Sequence, residues 1–175
     1  MNYLRFFVHC AVIAGGLWLV SCGVPTMKPA DFAVADAAAR STGKWTRADD
    51  GTTTRPRYRT SNPSRIAQVS YLNGSSEPVH YESFVSGYLS VVGRSGVKEI
   101  SRRKWTHRGY EVIEVLHDYG PGKANDERYV QMLFSRTPAP KYLLVRTLGR
   151  TSNPSAVQGN DLMKALLDAA GGRVP

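Results

Sequence analysis

Cysteine is nearly missing from this chain: there are two, Cys10 and Cys22, and none after position 22. From Gly23 onward no disulfide and no cysteine-ligated metal centre can form, whatever the redox state of the compartment. Histidine is scarce as well. Beyond His9 there are His80, His107 and His117, with no H-x-x-H or H-E-x-x-H spacing among them, which excludes the helical zinc-protease pattern. No G-x-S-x-G elbow occurs. The tetrad Gly120-Pro121-Gly122-Lys123 lacks the frame and the following Ser or Thr of a phosphate loop, so it reads as a flexible turn. Glu111 and Glu114 are three apart, which on a strand places them on opposite faces and makes them a poor acid/base pair. No metal, no cofactor and no enzymatic reaction is expected from these residues.

Acid is under-represented: 14 Asp and Glu stand against 23 Lys and Arg, a net charge of +9 over 175 residues. A basic balance suits nucleic acid, anionic lipid or an acidic polymer, or is simply a soluble surface.

A long hydrophobic run is absent too. The longest, Phe6 to Val20, holds 15 residues, with His9 and two glycines inside it. A membrane-spanning helix needs roughly 18 or more. Arg5 precedes the run, no acid accompanies it, and Ser21-Cys22-Gly23 follows. A basic head, a short apolar stretch and small residues at the end describe an export signal. An ordinary cleaved signal and an uncleaved anchor are the alternatives, although no A-x-A pattern closes the run. The last four residues, Leu19-Val20-Ser21-Cys22, resemble the lipobox of bacterial lipoproteins.

That resemblance implies a division of the chain. Residues 1–21 would be the signal peptide, and Cys22 the lipid attachment site, its thiol joined to a diacylglycerol and its new amine open to acylation, for instance by palmitate. Removing 21 of the 175 residues would leave 154 and a charge of +8, Arg5 being the only charge lost. That length suits one domain with its own core. Gly23 is not the aspartate that retains many such proteins in the inner membrane, so the periplasmic face of the outer membrane is the expected location in a Gram-negative host. For an exported chain, nucleic acid is set aside as a partner.

Residues 22–57 are rich in Pro, Ala, Gly, Thr and charge and read as a tether. Asp31 to Arg40 could form a short helix whose mostly alanine face would bury little, and Trp45 is the one large residue able to dock on a domain. A single domain is expected over 58–175. "RIAQVSYL" (65–72) reads as a strand. Tyr81, Phe84, Val85, Tyr88, Leu89 and Val92 then fall on one helical stripe, with Pro78 in its first turn and Gly93 at its end. Four strand-like runs follow, roughly 97–105, 110–118, 128–136 and 141–149, joined by turn chemistry. A last helix, about 161–170, has Asn160 as its cap and Met163, Leu166, Leu167 and Ala170 as its stripe. "RTSNPS" occurs at 59–64 and 150–155 with dissimilar flanks, and reads as two similar turns rather than a duplicated unit.

This order predicts an α+β fold: an antiparallel sheet of about five strands with two helices packed on one face. In element order, over about 110 residues, it is similar to the PsbP/Mog1-type fold found in several envelope lipoproteins and secretion chaperones. No residue motif accompanies that likeness, and it implies nothing about function.

The densest charge lies at 94–108, where Arg94, Lys98, Arg102, Arg103, Lys104 and Arg108 face Glu99 alone. Arg102, Arg103, Lys104, Trp105 and Arg108 are candidates for binding an anionic lipid or glycan, with the indole at a membrane interface. The structural alternative is cross-strand pairing with Glu111, Glu114 and Asp118. A two-residue turn at His107-Arg108 would set Lys104 opposite Glu111. A three-residue turn ending at Gly109 would set Arg102 opposite Glu114 and Lys98 opposite Asp118. Two functions are therefore expected to compete: a non-catalytic, lipid-anchored module that binds or assembles an envelope protein partner, and one that binds an anionic ligand through this hairpin.

Overall fold

The computed structural model describes residues 27, 29–49, 55–73, 78–120, 128–137, 141–149 and 153–171. The first helix, α1 (Pro29–Ser41), precedes two short strands, β1 (Thr46–Arg47) and β2 (Arg57–Thr60), and a longer one, β3 (Arg65–Asn73). Helix α2 (Pro78–Gly93) leads to β4 (Lys98–His107), β5 (Tyr110–Asp118), β6 (Tyr129–Thr137) and β7 (Lys141–Gly149). A single 3-10 turn, Pro154–Ala156, and α3 (Asn160–Ala169) close the described chain. The strands form one sheet in the order β1-β2-β3-β7-β6-β5-β4, antiparallel at every joint.

The fold is α+β, as expected, but the sheet has seven strands rather than about five, and three α-helices cover both faces rather than two covering one. The reason lies in β5, β6 and β7. Their neighbouring residues are apolar on both sides of the pleat: Val112 and Ile113, Leu133 and Phe134, Leu144 and Val145 are all buried. A strand with an apolar residue at every position needs cover on both faces. On one face α1 and α3 pack over Ala67, Val69, Val112, Leu133, Leu143 and Val145. On the other, Tyr81, Val85 and Leu89 of α2 pack over Ile113, Val115, Met132, Phe134 and Leu144. The six-residue stripe of α2 is core, with Phe84, Tyr88 and Val92 half-buried at its margins.

The segment expected to be a tether, 22–57, holds α1, β1 and the start of β2 among its described residues. Ala35, Ala38 and Ala39 are buried, and their small size lets α1 lie close against α3. Trp45 is buried with its indole Nε1 donating to Asp161 Oδ1 at 3.0 Å, under the Arg65 guanidinium. Tyr58 of β2 is buried and donates to Asp36 Oδ1 at 2.7 Å, and Arg47 bridges Asp36 and Asp49. The domain thus begins well ahead of residue 58. Residues 1–21 and Cys22 lie outside the described residues.

If the α1 alanines are a packing surface, Ala38→Leu should overfill the α1–α3 contact and cost about 1–3 kcal/mol in urea denaturation. Ala37→Leu, on the exposed side, should be near neutral. Equal stability of the two variants would mean that α1 is not docked.

Candidate functional site

The β4–β5 hairpin turns on Arg108 and Gly109, with φ of +49° and +84°. Two positive φ values at a two-residue turn give the mirror-image geometry that matches strand twist. His107 therefore faces Tyr110, and Arg103 faces Glu114. Neither expected register is the observed one. The register shifts between Glu99 and Ser101, and only beyond that shift does Lys98 reach Asp118. Ile100, at the shift, is 44% exposed.

The five hairpin candidates do not form one surface. Arg102 donates to Glu99 through Nε (3.0 Å) and Nη2 (2.7 Å), and these hydrogen bonds hold the Glu99 carboxyl below its ordinary range. Lys104 lies on the α2 side, paired with Glu82 and, at 3.6 Å, with Glu111. Arg103 and Trp105 project from the opposite face and converge on Glu114, with Nη2 to Oε1 at 2.9 Å and the indole Nε1 to Oε2 at 3.0 Å. The other side of that indole carries Lys164 Nζ, 5.8 Å from the ring centroid. Arg108, at the turn, pairs with Asp168 of α3, which also contacts His107 at 2.9 Å. Arg102, Arg103, Lys104 and Arg108 thus each have a carboxylate partner within the domain.

Glu114 is the centre of a buried polar cluster. Gln131 Nε2 donates to Glu114 Oε1 and to Asn160 Oδ1, each at 2.9 Å, and Asn160 Nδ2 donates to Glu114 Oε2 at 3.0 Å. Gln131 Oε1 accepts the Gly159 backbone N–H at 2.7 Å. Burial alone would raise the Glu114 carboxyl, but donors from Arg103, Gln131 and Asn160 outweigh it and hold the group below its usual range. Asn160 does not cap α3 as expected. Gly159 stands at the cap position, with no side-chain capping bond, and Asn160 serves the carboxylate instead. On the α2 face His117 is buried with Nδ1 unpartnered among the described residues. Burial pushes its imidazole down, Arg102 and Arg146 push the same way, and Glu99 opposes them.

Among the described residues no helix lies over one part of the α2 face. Across β2, β3 and β7, Arg57 lies opposite Gln68 and Gln68 opposite Arg146; beside them Arg59 lies opposite Ile66 and Ile66 opposite Leu148. These alternate with buried Tyr58, Ala67 and Thr147, which face α1 and α3. Arg57 and Arg59 are exposed, Ile66 is 40% exposed, and Gln68, Arg146 and Leu148 are half-buried. Among the described residues the side chains of Arg57 and Arg59 make no hydrogen bond or ion pair. The Arg146 guanidinium stacks over Tyr119 at 5.9 Å, its Nε buried without an acceptor. The signal was present in "RYRT" (57–60), an alternation of cation and buried side chain, but it straddles the boundary drawn at 57/58 between tether and domain.

Three Ser-x-x-Lys tetrads occur in the chain, Ser41–Lys44, Ser95–Lys98 and Ser101–Lys104. Ser41 ends α1 and donates to Ala38 O at 2.8 Å, while Lys44 lies beyond the helix near Asp161; Ser95 lies in the turn after α2. Ser101 and Lys104 both lie on β4, three residues apart and so on opposite faces, and none of the three pairs shares a helical turn, as a lysine activating a serine would require. Among the described residues no group of three His, Cys, Asp or Glu is placed to hold a metal ion, and no helix is long and apolar enough to cross a membrane. No protein-family model matches the chain, and no curated protein is significantly similar to it.

Glu114→Gln places an amide N–H₂ among donors and should cost on the order of 2–4 kcal/mol in urea denaturation. Arg103→Ala should cost under about 1 kcal/mol, since that side chain is 62% exposed. Comparable losses would remove Glu114 from the centre of the cluster. Acid should act in two stages, because both folded-state values are lowered and the unfolded chain therefore binds more protons. The contribution of His117 is full above about pH 6.5 and declines as pH falls below it; that of Glu114 is full above about pH 4.5 and is lost further down. Urea midpoints between about pH 7 and 5 should flatten in His117→Asn, and an unchanged slope would assign the upper stage elsewhere.

Proposed function

We propose that the chain is a lipid-anchored cell-envelope lipoprotein, held by Cys22 at the periplasmic face of the outer membrane, whose domain is a non-catalytic module for binding or assembling an envelope protein partner. The observation that carries the binding role is the strand face of β2, β3 and β7 beside α2, over which no helix lies among the described residues. A sheet face is ordinarily covered, and this one carries side chains suited to a polar, partly apolar contact. The anchor rests on Leu19-Val20-Ser21-Cys22 at the end of a short apolar run. Two or three acyl chains, at about 0.8 kcal/mol per buried methylene, hold a protein durably where one does not. Ligand binding through hairpin 94–108 draws less support, because Arg102, Arg103, Lys104 and Arg108 already have carboxylate partners.

Cys22→Ser should abolish incorporation of a radioactive fatty acid and leave the protein unprocessed or off the membrane. Label retained in that variant would sink the anchor. A photo-reactive phenylalanine analogue at position 68 should cross-link in intact cells to one defined protein, and at position 102 to none. Protein adducts from position 102 alone would favour the hairpin instead.

A further inference from the structure

Every carboxylate among the described residues is already held within the domain. Asp31 pairs with Lys141, Asp36 and Asp49 with Arg47, Glu82 and Glu111 with Lys104, and Glu99 with Arg102. Glu114 pairs with Arg103, Asp118 with Arg128, Asp161 with Lys44, and Asp168 with Arg108. Among the described residues Arg40, Arg57, Arg59 and Arg94 are exposed and make no such pair. The α2-side residues of β2, β3 and β7 include Arg57, Arg59 and Arg146 and no carboxylate.

From this placement we infer that the β2–β3–β7 face docks an acidic segment of the protein partner, its carboxylates reaching Arg57, Arg59 and Arg146; this rests on the partner-binding reading above. Three features favour a polypeptide. Arg57, Gln68 and Arg146 lie in one row across three adjacent strands, which sets the two arginines two strand spacings, or roughly 10 Å, apart. Gln68 between them offers both a donor and an acceptor to a peptide backbone. Beside that row, Ile66 and Leu148 give the segment an apolar floor, and guanidinium forks match carboxylates in a bidentate way.

The shape of the face selects against a membrane. α2 stands on the same side of the sheet, a cylinder about 10 Å across, with Val91 62% exposed on it. A planar bilayer would meet α2 before it met the arginines on the sheet floor. A single strand or helix fits the step. A second copy of this chain is disfavoured, because its described carboxylates are engaged.

The test uses the full chain in neutral detergent micelles, with fluorescent poly-L-glutamate as the acidic probe and water-soluble dihexanoyl-phosphatidylglycerol as the lipid probe. Poly-L-glutamate should bind at low salt, weaken as ionic strength rises, and shift backbone amides on β2, β3 and β7. The double variant Arg57→Gln/Arg59→Gln should bind it roughly tenfold more weakly, the loss expected for about 1.4 kcal/mol, with unchanged thermal stability. Arg102→Gln should change binding by less than about twofold. No binding at low salt, equal binding by the double variant, amide shifts confined to the β4–β5 hairpin, or binding of the lipid probe alone would each overturn the inference. Cross-linking from position 68 separates it from the broader reading. If the double variant still captures the same protein, partner binding stands and the acidic occupant falls. If the unaltered arginine face captures none, the partner reading itself falls.

Discussion

Glu114 projects from β5 into the layer between the sheet and α3, and its two oxygens accept from Arg103 and Trp105 of β4, Gln131 of β6 and Asn160 of α3. A carboxylate removed from water is tolerable only when its oxygens are so occupied. Satisfying it fixes more than its own position. Gln131, turned toward Glu114, presents its carbonyl to the Gly159 N–H, and this sets where α3 starts. A Cβ at position 159 would come within 2.2 Å of Thr147 Oγ1, so the backbone can approach the sheet there only as glycine. From that start Leu162, Met163, Leu166 and Leu167 reach the core. Asp161, on the same first turn, receives the Trp45 indole that ties the N-terminal segment to the domain.

The two faces of the sheet are unequally covered, and the charge follows from that. α1 and α3 together span one face, whereas α2 alone covers β5, β6 and β7 on the other. Arg102, Arg103, Lys104 and Arg108 of the hairpin are neutralised by acids of the hairpin itself, of α2 and of α3. The arginines of β2 and β7 have no such neighbours, because β3 between them carries Ile66 and Gln68 on that side. Pairing elsewhere thus leaves this face as one of the places where cations stand without acid.

The hairpin illustrates how much of a site a sequence can convey. Its cluster of cations, the acids of the next strand and the turn between them were all legible, and so was the opposition of Glu111 and Glu114 across the pleat. The pairing itself was not. Placing the turn at Arg108-Gly109 instead of one residue earlier shifts the facing partner of Arg103 to Glu114 and sends Lys104 toward Glu82, and a period of two turns a one-residue slip into a change of face. The choice depends on positive φ at an arginine, which the turn residues alone did not announce. Arg57 and Arg59 went unnoticed for a different reason: a strand of four residues, at the boundary drawn between tether and domain, carries too little periodicity to register.

What the amino-acid order determined by itself was local. The stripe of α2, strands β3 to β7 and the amphipathic α3 all follow from spacings of 3.6 or two, since each of those patterns has one regular structure that can bury it. Tertiary structure decided what no local pattern contains. It added β1, β2 and α1 to the domain, because alanines and a lone tryptophan acquire a buried surface only once α3 and the sheet are there to receive them. It also decided which charges are neutralised and which stay free, because partners such as Arg108 and Asp168, or Lys141 and Asp31, are far apart in sequence and meet only across the packed layers.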